Sequence, residues 1–149
     1  MRLSRKMLYA VEAVVDVAYN ARPDPVQSKD ITARQGIPQR YLEQVMQQLV
    51  KAGILKGVRG PKGGYRLARE RRRITVGEIV RVVGAIDAAD EVPEADGSDL
   101  SCAVVRPLWQ ELEVSMMERL DAITVEDLCR RAREQGVLSA SERSTDFTI

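Results

Sequence analysis

The 149-residue sequence predicts a mainly α fold with one small β-hairpin and a long helix in its second half. Three observations predict it. Apolar residues recur at i, i+3, i+4 and i+7 over several stretches, the spacing of a buried helix face. A short helix, a tight turn at Gly36-Ile37 and a longer helix follow one another. Two short β segments then flank the turn Arg59-Gly60-Pro61-Lys62-Gly63-Gly64. Together these make a helix-turn-helix followed by a wing.

Ser4 is placed to cap a first helix carrying Met7, Leu8, Val11, Val14, Val15 and Ala18 on one face. Arg22-Pro23-Asp24-Pro25 ends it, because two prolines cannot sit inside a helix. Ser28 caps a second helix from Lys29 to about Gln35, and Gly36 stops it. Pro38 opens a third helix through Tyr41, Leu42, Val45, Met46 and Leu49. The segments Ile54 to Val58 and Tyr65 to Ala68 form the hairpin.

Thr75 and Glu78 have capping-box spacing for a helix reaching about Val83 or Ile86, with Ile74 and Ile79 as its staple. The acidic stretch Asp87 to Ser101 reads as a loop. A long helix from about Cys102 to Asp121 follows. Thr124 to Asp127 opens a final helix, with Ile123 and Leu128 as a second staple. The expected organisation is a DNA-binding domain over 1–86, a loop over 87–101, a dimerisation helix and C-terminal helix over 102–138, and a flexible tail over 139–149.

Composition narrows the function. With 44% hydrophobic residues the chain can bury a core. No apolar run approaches the roughly 20 residues of a membrane span, and the basic start does not read as a signal peptide. Two cysteines, Cys102 and Cys129, are too few for a disulfide framework, so a cytoplasmic protein with reduced thiols is expected. The net charge of +1 conceals an asymmetry. Met1 to Arg73 hold 16 Lys/Arg against 6 Asp/Glu; Ile74 to Ile149 hold 7 against 16. A half with net +10 beside a half with net −9 points the first half at a polyanion.

Catalysis has little to build on. The chain has no histidine, the commonest general base and metal ligand. There is no Cys-x-x-Cys pair, Walker loop or nucleophile elbow, so no enzyme is expected.

The candidate DNA contacts lie on three elements. Arg59 and Lys62, with Arg66, put positive charge on a thin hairpin, and Gly60 lets its backbone come close to a minor groove. The alternative is an ordinary hairpin whose glycines serve only the turn. On the third helix Gln39, Glu43, Gln44 and Gln47 fall away from the apolar face. Gln can pair with adenine, and Glu can accept from the cytosine amino group. Arg40 and Tyr41 could hold phosphates. A plain solvated face fits the same pattern. Ser28 and Lys29, at a helix start, suit a phosphate as well as they suit simple capping. Arg71-Arg72-Arg73 reads as a solvated charge run more readily than as a contact.

On the long helix Val105, Leu108, Trp109, Leu112, Met116 and Leu120 form a stripe suited to a subunit interface, with packing on the first domain as the alternative. Cys102, near that helix start, is the candidate redox thiol, with a small buried hydrophobe as the alternative.

The sequence resembles the Rrf-two family of bacterial regulators. The resemblance is carried by Met1-Arg-Leu-Ser-Arg-Lys-Met-Leu-Tyr-Ala-Val-Glu-Ala, Gly36-Ile-Pro-Gln-Arg-Tyr-Leu-Glu-Gln and Val58-Arg-Gly-Pro-Lys-Gly-Gly-Tyr-Arg-Leu. Ile74-Thr-Val-Gly-Glu-Ile and Leu120-Asp-Ala-Ile-Thr-Val-Glu-Asp-Leu complete it, over about Met1 to Arg130. It implies a homodimer joined by the long helix, acting on a partly palindromic double-stranded DNA operator, typically as a repressor. It implies Glu43 as a main base reader and Arg59 in the minor groove. Its IscR-like members hold a [2Fe–2S] cluster through three cysteines before the long helix and a histidine. Here only Cys102 lies in that region, so no iron–sulfur cofactor is expected. The CymR-like members imply a link to sulfur or cysteine supply. The rival class is a module that controls a metabolic enzyme by contact, with DNA binding secondary.

Overall fold

The computed structural model describes residues 3–21, 23–88 and 97–146. Its helices are α1 (Arg5–Asn20), α2 (Ser28–Gln35), α3 (Gln39–Lys51), α4 (Val76–Ala88), α5 (Arg106–Asp121), α6 (Val125–Glu134) and α7 (Ala140–Asp146). The strands β1 (Leu55–Val58) and β2 (Gly64–Leu67) pair antiparallel, with Leu55 opposite Leu67 and Val58 opposite Gly64. The fold is thus mainly α with a hairpin wing, as the sequence predicts.

Most local signals act as expected. The Ser4 hydroxyl accepts from the Met7 amide at 3.3 Å, starting α1. Gly36 ends α2 in the left-handed region at φ 65°, where a Cβ would be strained. The Thr75 hydroxyl accepts from the Glu78 amide at 3.1 Å, but the Glu78 carboxylate turns to Arg69 and does not close the box. At α6 the box closes both ways between Thr124 and Asp127.

Some expectations change. Gln27, not Ser28, occupies the N-cap of α2, and Ser28 is its first helical residue. Pro38 is likewise the N-cap of α3 and not its first residue. Leu8 is 55% exposed, because the buried face of α1 runs through Met7, Ala10, Ala13, Val14 and Val17. Of the Asp87–Ser101 loop, Asp87 and Ala88 still belong to α4, and a π-helical turn at Ser101–Val105 precedes α5. Residues 89–96 of that loop lie outside the described residues, as do Met1, Arg2, Arg22 and 147–149. The expected flexible tail contains α7. Ser139 and Glu142 cap it reciprocally, a Ser-x-x-Glu box that is present in the sequence.

One core unites α1, α2, α3, β1, α4 and α6, with Leu42, Met46, Leu49, Ile54 and Ile79 among its fully buried side chains. Each such side chain contributes about 1.5–3 kcal/mol through removal from water. The C-terminal helix α6, grouped with the long helix over 102–138 by the sequence, sends Val125 and Cys129 into the core of the first 86 residues. The starts of α4 and α6 are stitched together there. The Val76 amide donates to the Ile123 carbonyl, and the Val125 amide to the Ile74 carbonyl, both at 2.9 Å.

Among the described residues one polar side chain lies inside. Asp16, on the buried face of α1, is 2% exposed. Arg34 of α2 grips its carboxylate with two bonds of 2.9 and 2.8 Å, and Gln35 adds a third at 2.8 Å. That hydrogen bond to Asp16 holds the Arg34 guanidinium above its ordinary pKa, so it stays charged. Breaking a buried pair leaves a charge without its partner. Asp16→Ala should therefore cost about 3 kcal/mol in denaturant unfolding, and Asp16→Leu with Arg34→Met should recover most of it. A loss under about 1 kcal/mol for the single variant would show that the pair does not hold α2.

Candidate nucleic-acid interface

The candidate surface is built from α2, α3 and the wing, which are bonded edge to edge. Val26, just before α2, pairs with Tyr65 of β2. The Val26 amide donates to Tyr65 at 3.0 Å, and the Tyr65 amide donates back at 2.7 Å. The Gln27 amide group reaches the Pro61 carbonyl at 3.5 Å. Ser28, Val58, Arg59, Gly60 and Pro61 consequently line one concavity of about 510 Å³. On the other side of α2, the Thr32 hydroxyl lies 3.0 Å from Oε1 of Gln39, in the first turn of α3.

The α3 residues sort as the helical period requires. Leu42, Val45, Met46 and Leu49 are buried, while Gln39, Arg40, Glu43, Gln44 and Gln47 are exposed. Gln39 donates to the Glu43 carboxylate at 3.1 Å. Tyr41 is 41% exposed, and its ring lies against Tyr9 of α1 with centroids 6.2 Å apart. Tyr41 therefore also packs α3 onto α1.

At the wing tip the Gly63 amide donates to the Gly60 carbonyl at 2.9 Å, closing the turn. Arg59, Gly60 and Lys62 are exposed there. Arg66, expected with them, instead donates to the Pro23 carbonyl at the base of the wing. The arginine run is also engaged: Arg71 pairs with Glu126, and Arg72 with Glu70 at 2.6 Å. Among the described residues Lys29, Arg40, Arg59 and Lys62 have no carboxylate partner. Among the described residues these four leave unpaired positive charge on α2, α3 and the wing tip, as Arg5, Arg119 and Arg131 do elsewhere.

The α5 stripe lies apart from this surface. Val105, Leu108, Trp109 and Leu112 are exposed, with Trp109 at 61%, and α5 buries no residue. Met116 is half-buried. Leu120 departs from the expected interface: with Met117 it packs against the chain's own core. The C-terminal end of α5 is held to α4 by a bidentate pair, Arg81 to Asp121, with both bonds at 2.6 Å.

The cysteines differ. Cys102 is exposed in the turn before α5. Cys129 is buried, and burial pushes its thiol pKa up, so it is a neutral thiol at pH 7.

A helix-turn-helix whose second helix bares a polar face, followed by a basic wing, defines a winged-helix DNA-binding regulator. The chain belongs to the Rrf2 family, described as iron-dependent transcriptional regulators, which its residues 3–131 match. It is 38% identical over 155 residues to the HTH-type transcriptional regulator IscR of Photobacterium profundum, spanning 99% of this chain and 90% of that one. Its fold is similar to that of T. potens IscR, at 38% identity over 95% of both chains with a TM-score of 0.73. It is also similar to CymR (YrzC), the global cysteine regulator of B. subtilis, at 30% identity over 88% of this chain and 98% of that one, with a TM-score of 0.70.

The family's description raises the question of iron. A [2Fe–2S] cluster takes four ligands, normally thiolates with histidine as substitute. This chain has two cysteines and no histidine. One cysteine is exposed before α5 and the other is buried in the core. Among the described residues no group of three or more His, Cys, Asp or Glu is placed to hold a metal. The donor set does not fit a cluster held by one chain.

The wing's docking rests on Gly64. A Cβ there would sit 2.6 Å from the Val26 carbonyl carbon, and backbone cannot step aside cheaply. Gly64→Ala should break the Val26–Tyr65 pairing and cost about 1–3 kcal/mol of stability. The Val26 amide should then exchange with solvent much faster. Unchanged exchange at Val26 would contradict the stitched wing.

Proposed function

We propose that this chain is a homodimeric, sequence-specific regulator that acts as a repressor on a partly palindromic operator in the cytoplasm. One observation carries the proposal: four cations without carboxylate partners lie on three elements bonded into a single surface around the exposed face of α3. In this reading Gln39, Glu43, Gln44 and Gln47 meet base edges in the major groove. Arg40, Tyr41, Ser28 and Lys29 hold phosphates, and Arg59, Gly60 and Lys62 bring the wing to the adjacent minor groove. Polyanion binding of this kind involves no catalytic step.

The α5 stripe of Val105, Leu108, Trp109, Leu112 and Met116 forms the dimer seam. An exposed tryptophan among exposed leucines is a costly surface for a monomer, and two copies facing each other remove it from water. The two-fold axis then sets the two α3 helices on half-sites of opposite orientation. The likeness to IscR and to the cysteine regulator CymR supports a link to sulfur or iron–sulfur supply. The donor set supports a cluster-free regulator, with Cys102 as the thiol open to oxidants.

Fluorescence anisotropy against an operator selected from a random DNA pool tests the reading. If each subunit neutralises about 3–5 phosphates, log K should fall with log salt at a slope of about −5 to −9. Arg59→Ala should cost about 1–3 kcal/mol of specific binding. A flat salt response, or unchanged affinity in the variant, would contradict the assigned surface.

A further inference from the structure

We propose that Thr32 is a specificity-determining positioning residue: through Gln39 it fixes the Glu43 carboxylate in one orientation for reading a base. The proposal rests on the reading of Glu43 as a base reader. Three side chains in sequence carry it. The Thr32 hydroxyl is 3.0 Å from Oε1 of Gln39, and Nε2 of Gln39 is 3.1 Å from Oε1 of Glu43. Thr32 belongs to α2, and the other two belong to α3, so the chain crosses the turn between the helices.

The polarity of each bond follows from the charge on Glu43. An ionised carboxylate only accepts, so the Gln39 amide must turn its NH₂ toward Glu43. That leaves its oxygen facing Thr32, whose hydroxyl must then donate. Gln39 and Glu43 are both exposed, and an i,i+4 contact between two flexible side chains is a weak restraint. Thr32 supplies what the pair lacks. It is β-branched, its χ1 is stiff, and it is half-buried on another helix. Ordering the carboxylate before DNA arrives removes an entropic cost from binding and sharpens the distinction between right and wrong bases.

The same hydroxyl lies 3.0 Å from the Ser28 carbonyl. It has one proton for two acceptors, so it serves either Gln39 or the first turn of α2 at any moment. Ser28 lines the concavity shared with the wing. The orientation of Glu43 is therefore coupled to the end of α2 that faces the wing.

The test is competition binding by the full-length protein, on an operator selected from a random pool and on variants changed at one base pair each. Glu43→Ala first identifies the base pair that Glu43 reads. Thr32→Val should lower discrimination at that pair about five-fold, the worth of one neutral hydrogen bond. Discrimination elsewhere and non-specific affinity should stay within about two-fold. Thr32→Ser, which keeps the hydroxyl, should retain wild-type discrimination. Gln39→Met, at an exposed position that leaves the core untouched, should show the same loss at that pair, beside any loss at a base pair that Gln39 itself contacts. In the Glu43→Ala background, Thr32→Val should have no further effect. Wild-type discrimination in Thr32→Val, or an even loss across all base pairs, would overturn the positioning role while leaving Glu43 as a reader. If Glu43→Ala alters no single base pair, the base-reader assignment fails and the role of Thr32 with it.

Discussion

The placement of the proposed DNA-binding surface depends on the buried carboxylate of Asp16. The helix it holds, α2, has eight residues and buries only Ile31. An isolated helix of that length is marginal in water, and one buried isoleucine contributes about 2–3 kcal/mol. The bonds from Arg34 and Gln35 to Asp16 supply the direction that this single apolar contact cannot. Direction matters because α2 is the middle member of the surface. It is bonded to the wing through Val26 and Tyr65, and to α3 through Thr32 and Gln39. A tilt of α2 on α1 would move both neighbours.

A second constraint closes the body behind this surface. The starts of α4 and α6 share a two-bond bridge, and Cys129 of α6 is buried in the same core as Leu42 and Leu49 of α3. The C-terminal segment continues the hold. The Tyr19 hydroxyl donates to the Val137 carbonyl, and the Ala140 amide donates to Asn20 at 2.8 Å, near the end of α1 that carries Asp16. Most of α5 has little support from its own chain. Its lower end rests on the core through Met117 and Leu120, while Leu108, Trp109 and Leu112 stand clear. That contrast within one helix separates the part that packs on the core from the part that the proposed dimer would cover.

Features legible in the sequence share a physical origin: they act within a few residues. Gly36, Pro38 and the Gly60–Gly64 turn punctuate the chain locally, so the helix-turn-helix and wing can be read from spacing alone. Ser4 and Thr124 cap their helices for the same reason. What stayed illegible acts over distance. Asp16 stands among Val14, Val15 and Val17, and a charge in that company signals a buried partner. That the partner is Arg34, 18 residues on, follows only from packing. Arg66 looks like a further cation for DNA until its own partner is seen, and Arg71 and Arg72, which read as a solvated run, pair with Glu126 and Glu70. Leu120 has the spacing of the interface stripe, yet α5 turns it inward. Ser139 and Glu142 were legible as a cap, but the polar composition around them reads as tail.

In the proposed function two copies of one bonded surface read two half-sites of DNA, a reading that hydroxyl-radical footprinting on the selected operator tests most directly. It predicts two sets of protections related by two-fold symmetry, with half-site centres about one helical turn of 10 base pairs, or a multiple of it, apart. Each set should include the backbone flanking a major groove and an adjoining minor groove where the wing lies. A single asymmetric patch of protection, or protection confined to one groove, would contradict it.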